Sequence, residues 1–178
     1  MQQLHDLQCN CAACGGSTQQ GLDELEFGRS ACSLAQRGQT ARLRALLERR
    51  PELVHSDGTP GGNSGYTPLH YAARGGRLEA ARLLLSRGAS VDAATAAGGA
   101  TALHRAAYAG HLQVTQALLA AGGDAARQDS DGQTPLHKAE AQGHSHVAGA
   151  LREAAPQADV LLDRRGRTPA QLAELRKS

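Results

Sequence analysis

The chain has 178 residues, a formal net charge of +2, no tryptophan and one phenylalanine. That length suits one domain or one stack of repeats. It contains no apolar run of 18 residues and opens on neither a basic start nor an apolar stretch, which argues against a membrane span and a secretory signal.

Residues 1–28 come first and stand apart. They hold Asp6, Asp23, Glu24 and Glu26 with no Lys or Arg, so the remaining residues carry a net +6. A disordered acidic tail is expected there, with a cytoplasmic or nuclear protein whose Cys9, Cys11, Cys14 and Cys32 stay reduced. The stretch CNCAACGG within it is chemically suggestive. Cys9, Cys11 and Cys14, with His5 as a fourth donor, match the S and N ligands of tetrahedral zinc, and a metal- or redox-responsive tail is one alternative function. Structural zinc sites draw on two separated pairs, however, and this cluster would wrap one short segment around the ion. A reactive but metal-free tail fits equally, and no cofactor is assigned.

From residue 29 the chain turns amphipathic. SACSLAQRGQTARLRALLERRPEL reads as an N-terminal capping unit over 29–55, rich in Arg37, Arg42, Arg44, Arg49 and Arg50. HSDGTPGGNSG follows as a Gly- and Ser-rich segment expected to be a mobile loop. Then a tetrapeptide recurs. Thr67, Thr101, Thr134 and Thr168 begin TPLH, TALH, TPLH and TPAQ, 34, 33 and 34 residues apart, each with a Gly two residues before it. A fixed period of this size marks a repeat array. Thr is a good N-cap and Pro68, Pro135 and Pro169 fall at the first helical position, so a helix starts at each copy. Gly76, Gly110 and Gly143 end the first three of these helices. A second helix follows each, with the stripe Ala80, Ala81, Leu84, Leu85 and then Val114, Leu118, Leu119. Such stripes are too narrow to make a core alone and must stack. The full repeats span about 63–95, 96–128 and 129–162, and DRRGRTPAQLAELRKS over 163–178 is a half-repeat cap. In the last full repeat Glu140 and Arg152 replace the expected Ala and Leu, which predicts that this repeat is the least stable unless the two charges meet.

Carried by DSDGQTPLH, ALHRAAYAGH and LLLSRGASVDAATAAGGATALH, the sequence resembles the ankyrin-repeat family over residues 30–178. The resemblance implies an all-α solenoid of stacked helix-turn-helix units with turn or β-hairpin fingers. It also implies a non-catalytic adaptor or scaffold that binds another protein through its concave face. His70, His104 and His137 are repeated letters of the motif, and His111 and His144 follow the repeated Gly, so they are expected to tie helix starts to neighbouring turns rather than to catalyse. No Ser, His and Asp constellation, phosphate loop or paired-carboxylate motif appears, and no enzyme activity is expected. The scarcity of aromatics and the modest basic excess argue against direct nucleic-acid binding, although the arginines of the first cap keep a nucleic-acid-associated regulator as a further alternative. A monomer is expected.

Register then selects the variable positions of the concave strip. One residue before the Thr stand Tyr66, Ala100, Gln133 and Arg167; four after it stand Tyr71, Arg105 and Lys138; seven after it stand Arg74, Tyr108 and Ala141. All three tyrosines of the chain fall in this set, and Tyr and Arg dominate binding hot spots. Tyr66, Tyr71, Arg74, Arg105, Tyr108 and Lys138 are therefore the candidate partner-binding residues. Their charge favours an acidic partner segment or one with exposed carbonyls.

Overall fold

The threonine caps act as the sequence predicts. In the computed structural model, which describes residues 30–55 and 64–177, Thr67, Thr101 and Thr134 are N-caps of helices that begin at the next residue, each in a capping box with the His three positions on. Thr168 does the same with Gln171, whose Oε1 accepts the Thr168 N–H at 2.9 Å. Ser30 takes the role in the first unit, its Oγ accepting the Ser33 N–H at 3.2 Å.

The helices run α1 Ala31–Arg37, α2 Thr40–Arg49, α3 Pro68–Arg74, α4 Leu78–Ser86, α5 Ala102–Ala109, α6 Leu112–Ala120, α7 Pro135–Gln142, α8 Ser145–Ala154 and α9 Pro169–Lys177. Short 3-10 turns, Pro51–Val54 and Pro156–Val160, follow α2 and α8, where a Pro has replaced the glycine that ends α4 and α6. The odd-numbered helices pack in sequence against one another, and so do α2, α4, α6 and α8, giving two layers. Among the described residues there is no strand. The fingers between repeats are turns, each closed by a pair of backbone bonds such as Asp129 N–H to Gln133 O and Gly132 N–H to Asp129 O, both at 2.9 Å.

Between the layers sits a ladder of leucines. Leu43, Leu69, Leu84, Leu103, Leu118, Leu136 and Leu151 are fully buried, with Ala72, Ala73, Ala106, Ala107 and Ala139 letting the first helices approach closely. Each buried Leu contributes about 1.5–3 kcal/mol. The second-helix stripe differs by one residue from the expected one: Leu83 is buried beside Leu84, whereas Leu85 is half-buried, and Leu119 likewise. A helix packed on both neighbours and on its own hairpin partner buries a wider arc than one face supplies.

The charged pair of the last full repeat has partners. Arg152 Nη2 donates to Glu140 and Arg152 Nε donates to Asp159 Oδ1 at 2.9 Å. The lone-charge reason for expecting this repeat to be the weakest is therefore removed. The acidic tail and its cysteines, and residues 56–63 of the Gly-rich loop, lie outside the described residues. No described helix is long and apolar enough to cross a membrane.

Candidate functional site

Two sets of hydrogen bonds hold the strip in place. The ring Nδ1 of His70, His104 and His137 accepts the N–H of Thr67, Thr101 and Thr134 at 3.1, 3.2 and 3.1 Å. With Nδ1 accepting, the ring proton is on Nε2, which donates to the next finger at Ala100 O, Gln133 O and Arg167 O at 3.1, 3.0 and 3.1 Å. Burial disfavours the charged imidazolium and lowers the pKa of all three, that of His104 to about 4. These histidines are structural ties, as their repetition implied.

A second ladder joins the far ends of the same helices. Arg77 Nε donates to Gln36 O at 3.1 Å, and the His111 and His144 Nε2 atoms meet Arg74 O and Tyr108 O, both at 3.2 Å. Glycine is required beneath them. At Gly110 the backbone is left-handed, φ 76°, and an added Cβ would stand 2.6 Å from His144 Nδ1.

The fingers are built by side chains that accept from their own backbone. Asp129 Oδ1 accepts the N–H groups of Asp131 and Gln133 at 2.9 Å, and Asp163 Oδ1 accepts those of Arg165 and Arg167 at 2.9 Å. In the earlier finger Thr95 Oγ1 accepts from Ala100 N–H at 3.1 Å. Neighbouring fingers then join by single backbone bonds at 2.9 Å, from Ala96 N–H to Ser64 O, Ser130 N–H to Gly98 O and Arg164 N–H to Asp131 O.

On this frame the candidate residues fall into three groups. Tyr66, Tyr71 and Arg105 come together: the two tyrosine ring centroids are 5.7 Å apart, the Arg105 guanidinium carbon lies 5.0 Å from the Tyr66 centroid, and Arg105 Nη2 donates to the Tyr66 hydroxyl. Arg105 also lines a cavity of about 270 Å³ with Tyr108 and Lys138. Tyr108 is 54% exposed, so it does not merely cover a neighbouring helix. Arg74 is exposed at the end of α3, where its backbone carbonyl meets the His111 ring.

Lys138 does not present a bare charge. Its Nζ lies 2.8 Å from Asp129 Oδ2. Burial works to raise the Asp129 pKa, yet the Lys138 ammonium and the finger N–H groups outweigh it and hold the carboxyl below its usual range. Asp163 is matched in the same way. Burial again opposes ionisation, but Arg167, at 2.7 Å and 2.9 Å from Oδ2, and the backbone donors hold this carboxyl far below the ordinary range.

Register reasoning missed the finger tips. Ser130 and Asp131 line the cavity with Arg105, and Arg164 and Arg165 with Asp131 line a second cavity of about 290 Å³ one repeat further on. The signal was available in DSDG and DRRG, the residues just before each repeated Gly. The basic cap, by contrast, does not converge. Arg42 and Arg49 share a face of α2, Arg44 lies about 200° round from Arg42, and Arg50 pairs with Glu52 at 3.1 Å. The candidate zinc ligands His5, Cys9, Cys11 and Cys14 lie outside the described residues, and the remaining cysteine, Cys32, is buried in α1.

A family model described as ankyrin repeats in many copies matches residues 31–85, 69–119 and 103–152. The chain is similar to Ankyrin repeat domain-containing protein 39 of Homo sapiens, 38% identical over 77 residues, which is 43% of this chain and 39% of that protein. It is similar to the Bos taurus protein of the same name at 37% identity over 68 residues, 38% of this chain and 34% of the relative. The matched segment thus spans about two fifths of the human relative and a third of the bovine one.

Proposed function

The chain belongs to the ankyrin-repeat family, and from that premise we propose that it is a non-catalytic adaptor or scaffold whose partner protein lies along the concave strip of its first helices and fingers. The family generally mediates protein–protein interaction. The observation that carries the reading for this chain is the Tyr66, Tyr71 and Arg105 cluster, which spans two repeats and adjoins the exposed ring of Tyr108. Aromatic and Arg side chains on a rigid scaffold lose little conformational freedom on binding and suit a hot spot.

Proximity labelling in cells, with the wild-type chain beside Tyr71→Ala/Arg105→Glu and Tyr108→Ala variants, tests it. Partners recovered with wild type should be lost from both variants while their thermal melts stay within a few degrees of wild type. An unchanged partner set with both variants would remove the strip as the binding surface.

A further inference from the structure

Two cavities of nearly equal size follow one another along the fingers, one repeat apart. The first, about 270 Å³, lies between the fingers that carry Gly98 and Ser130 and is lined by Arg105, Tyr108 and Lys138. The second, about 290 Å³, lies between the fingers of Asp131 and Arg164 and is lined also by Arg165. Their charges are not equally committed. Lys138 is taken by Asp129 and Arg167 by Asp163. Among the described residues Arg105 forms no ion pair, and its enclosed Nε has no hydrogen-bond partner. Arg164 and Arg165 are exposed, and their guanidinium groups likewise have no carboxylate partner among the described residues. Between the two sites stands Asp131, exposed and lining both cavities, with its carboxylate unpaired among the described residues.

From this pattern we infer that the strip recognises an extended acidic segment with two carboxylates three residues apart, one on Arg105 and the other on Arg164 and Arg165. The inference rests on the concave-face reading and specifies its partner chemistry. Packed helices lie about 8–10 Å apart, so the cavities repeat at about that interval. A polyproline II segment rises about 3.1 Å per residue with three residues per turn, which brings residues i and i+3 to the same face about 9 Å apart. Asp131 supplies the selectivity. A segment that seats its second carboxylate short of the second cavity brings it against Asp131 at the shared wall instead of Arg164 and Arg165, so a pair spaced to reach both sites is favoured. The Arg105 guanidinium is already fixed against the Tyr66 ring, so little side-chain freedom is lost when it takes a carboxylate.

The test uses the full chain and fluorescein-labelled, proline-rich peptides carrying two glutamates at spacings from one to six residues, with glutamines as controls, read by anisotropy. Affinity should peak at i+3 and fall by about tenfold or more at other spacings. Arg105→Gln, or Arg164→Ala with Arg165→Ala, should each remove the i+3 preference. Because Arg105 also contacts Tyr66, a charge swap gives an independent arm: Arg164→Glu with Arg165→Glu should regain binding to a peptide with Lys in place of the second Glu. Affinity that ignores spacing, or a preference that survives both Arg variants, overturns the inference. If partner labelling in cells still depends on Tyr71 and Tyr108 in that event, the concave-face reading stands and only the acid-pair chemistry fails; if neither depends on the strip, both fail.

Discussion

At His104 a single neutral imidazole closes a helix start and fastens the next finger, through Thr101 N–H at 3.2 Å and Gln133 O at 3.0 Å. Removing it leaves the buried Thr101 N–H unpaired, at about 1–3 kcal/mol, and the part-buried Gln133 carbonyl without its donor, so His104→Ala should lower the urea midpoint well beyond an exposed control such as His146→Ala. Titration adds a second check. The unfolded imidazole takes up a proton near its ordinary pKa of 6.5, and the folded one only near 4. Between these values the unfolded state holds more protons, so this contribution is complete above pH 6.5 and is lost as pH falls towards 4. The slope of stability against pH in that window should flatten in His104→Ala. Tyr66 and Arg105 give the other prediction at this scale: a double-mutant cycle of Tyr66→Phe and Arg105→Gln should return a coupling of about 1 kcal/mol or less, since the pair is only half-buried. The role of His104 was legible from its repetition, because a residue needed in every unit serves the stack. The Arg105–Tyr66 contact was not, because the two lie 39 residues apart and only the stacking of repeats brings them together.

At the scale of an element, α7 and α8 carry the paired charges Glu140 and Arg152 where the preceding repeats have Ala and Leu. Arg152→Ala should cost about 1–2 kcal/mol by leaving Glu140 half-buried with nothing to neutralise it, a figure reduced by the partial exposure of Arg152. Glu140→Ala combined with Arg152→Leu, which restores the residue types of the preceding repeats, should return stability to the wild-type level or above it, as measured by chemical denaturation. A double variant weaker than either single one would show that Asp159 relies on this ion network. Helix ends give a second case. Gly110→Ala forces a left-handed Cβ into the His144 ring and frees the Tyr108 carbonyl, so a loss exceeding 1 kcal/mol is expected, about the cost of the backbone conformation alone. The need for Gly110 was visible in the period. That its lack of a Cβ also makes room for an imidazole from the next repeat was not, since sequence spacing carries no information about the gap between units.

For the whole molecule, stability is a chain of nearest-neighbour interfaces. Leu103→Ala, central and fully buried between flanking repeats, should cost about 2–5 kcal/mol. It should also split the urea transition into two if the flanking segments can unfold separately. Hydrogen exchange should then show faster opening on both sides of α5 while the amides of α9 change least.

The sequence by itself determined the period, the helix starts and ends, the leucine ladder and the family, because these arise from local caps, glycine backbones and apolar spacing repeated in register. Only the tertiary structure decided which charges remain available. Lys138 and Arg167 are basic letters like Arg105 and Arg164, yet Asp129 and Asp163 neutralise the first two, while the others have no carboxylate partner among the described residues. Pairing depends on distances across turns and between repeats, and a one-dimensional pattern does not contain them.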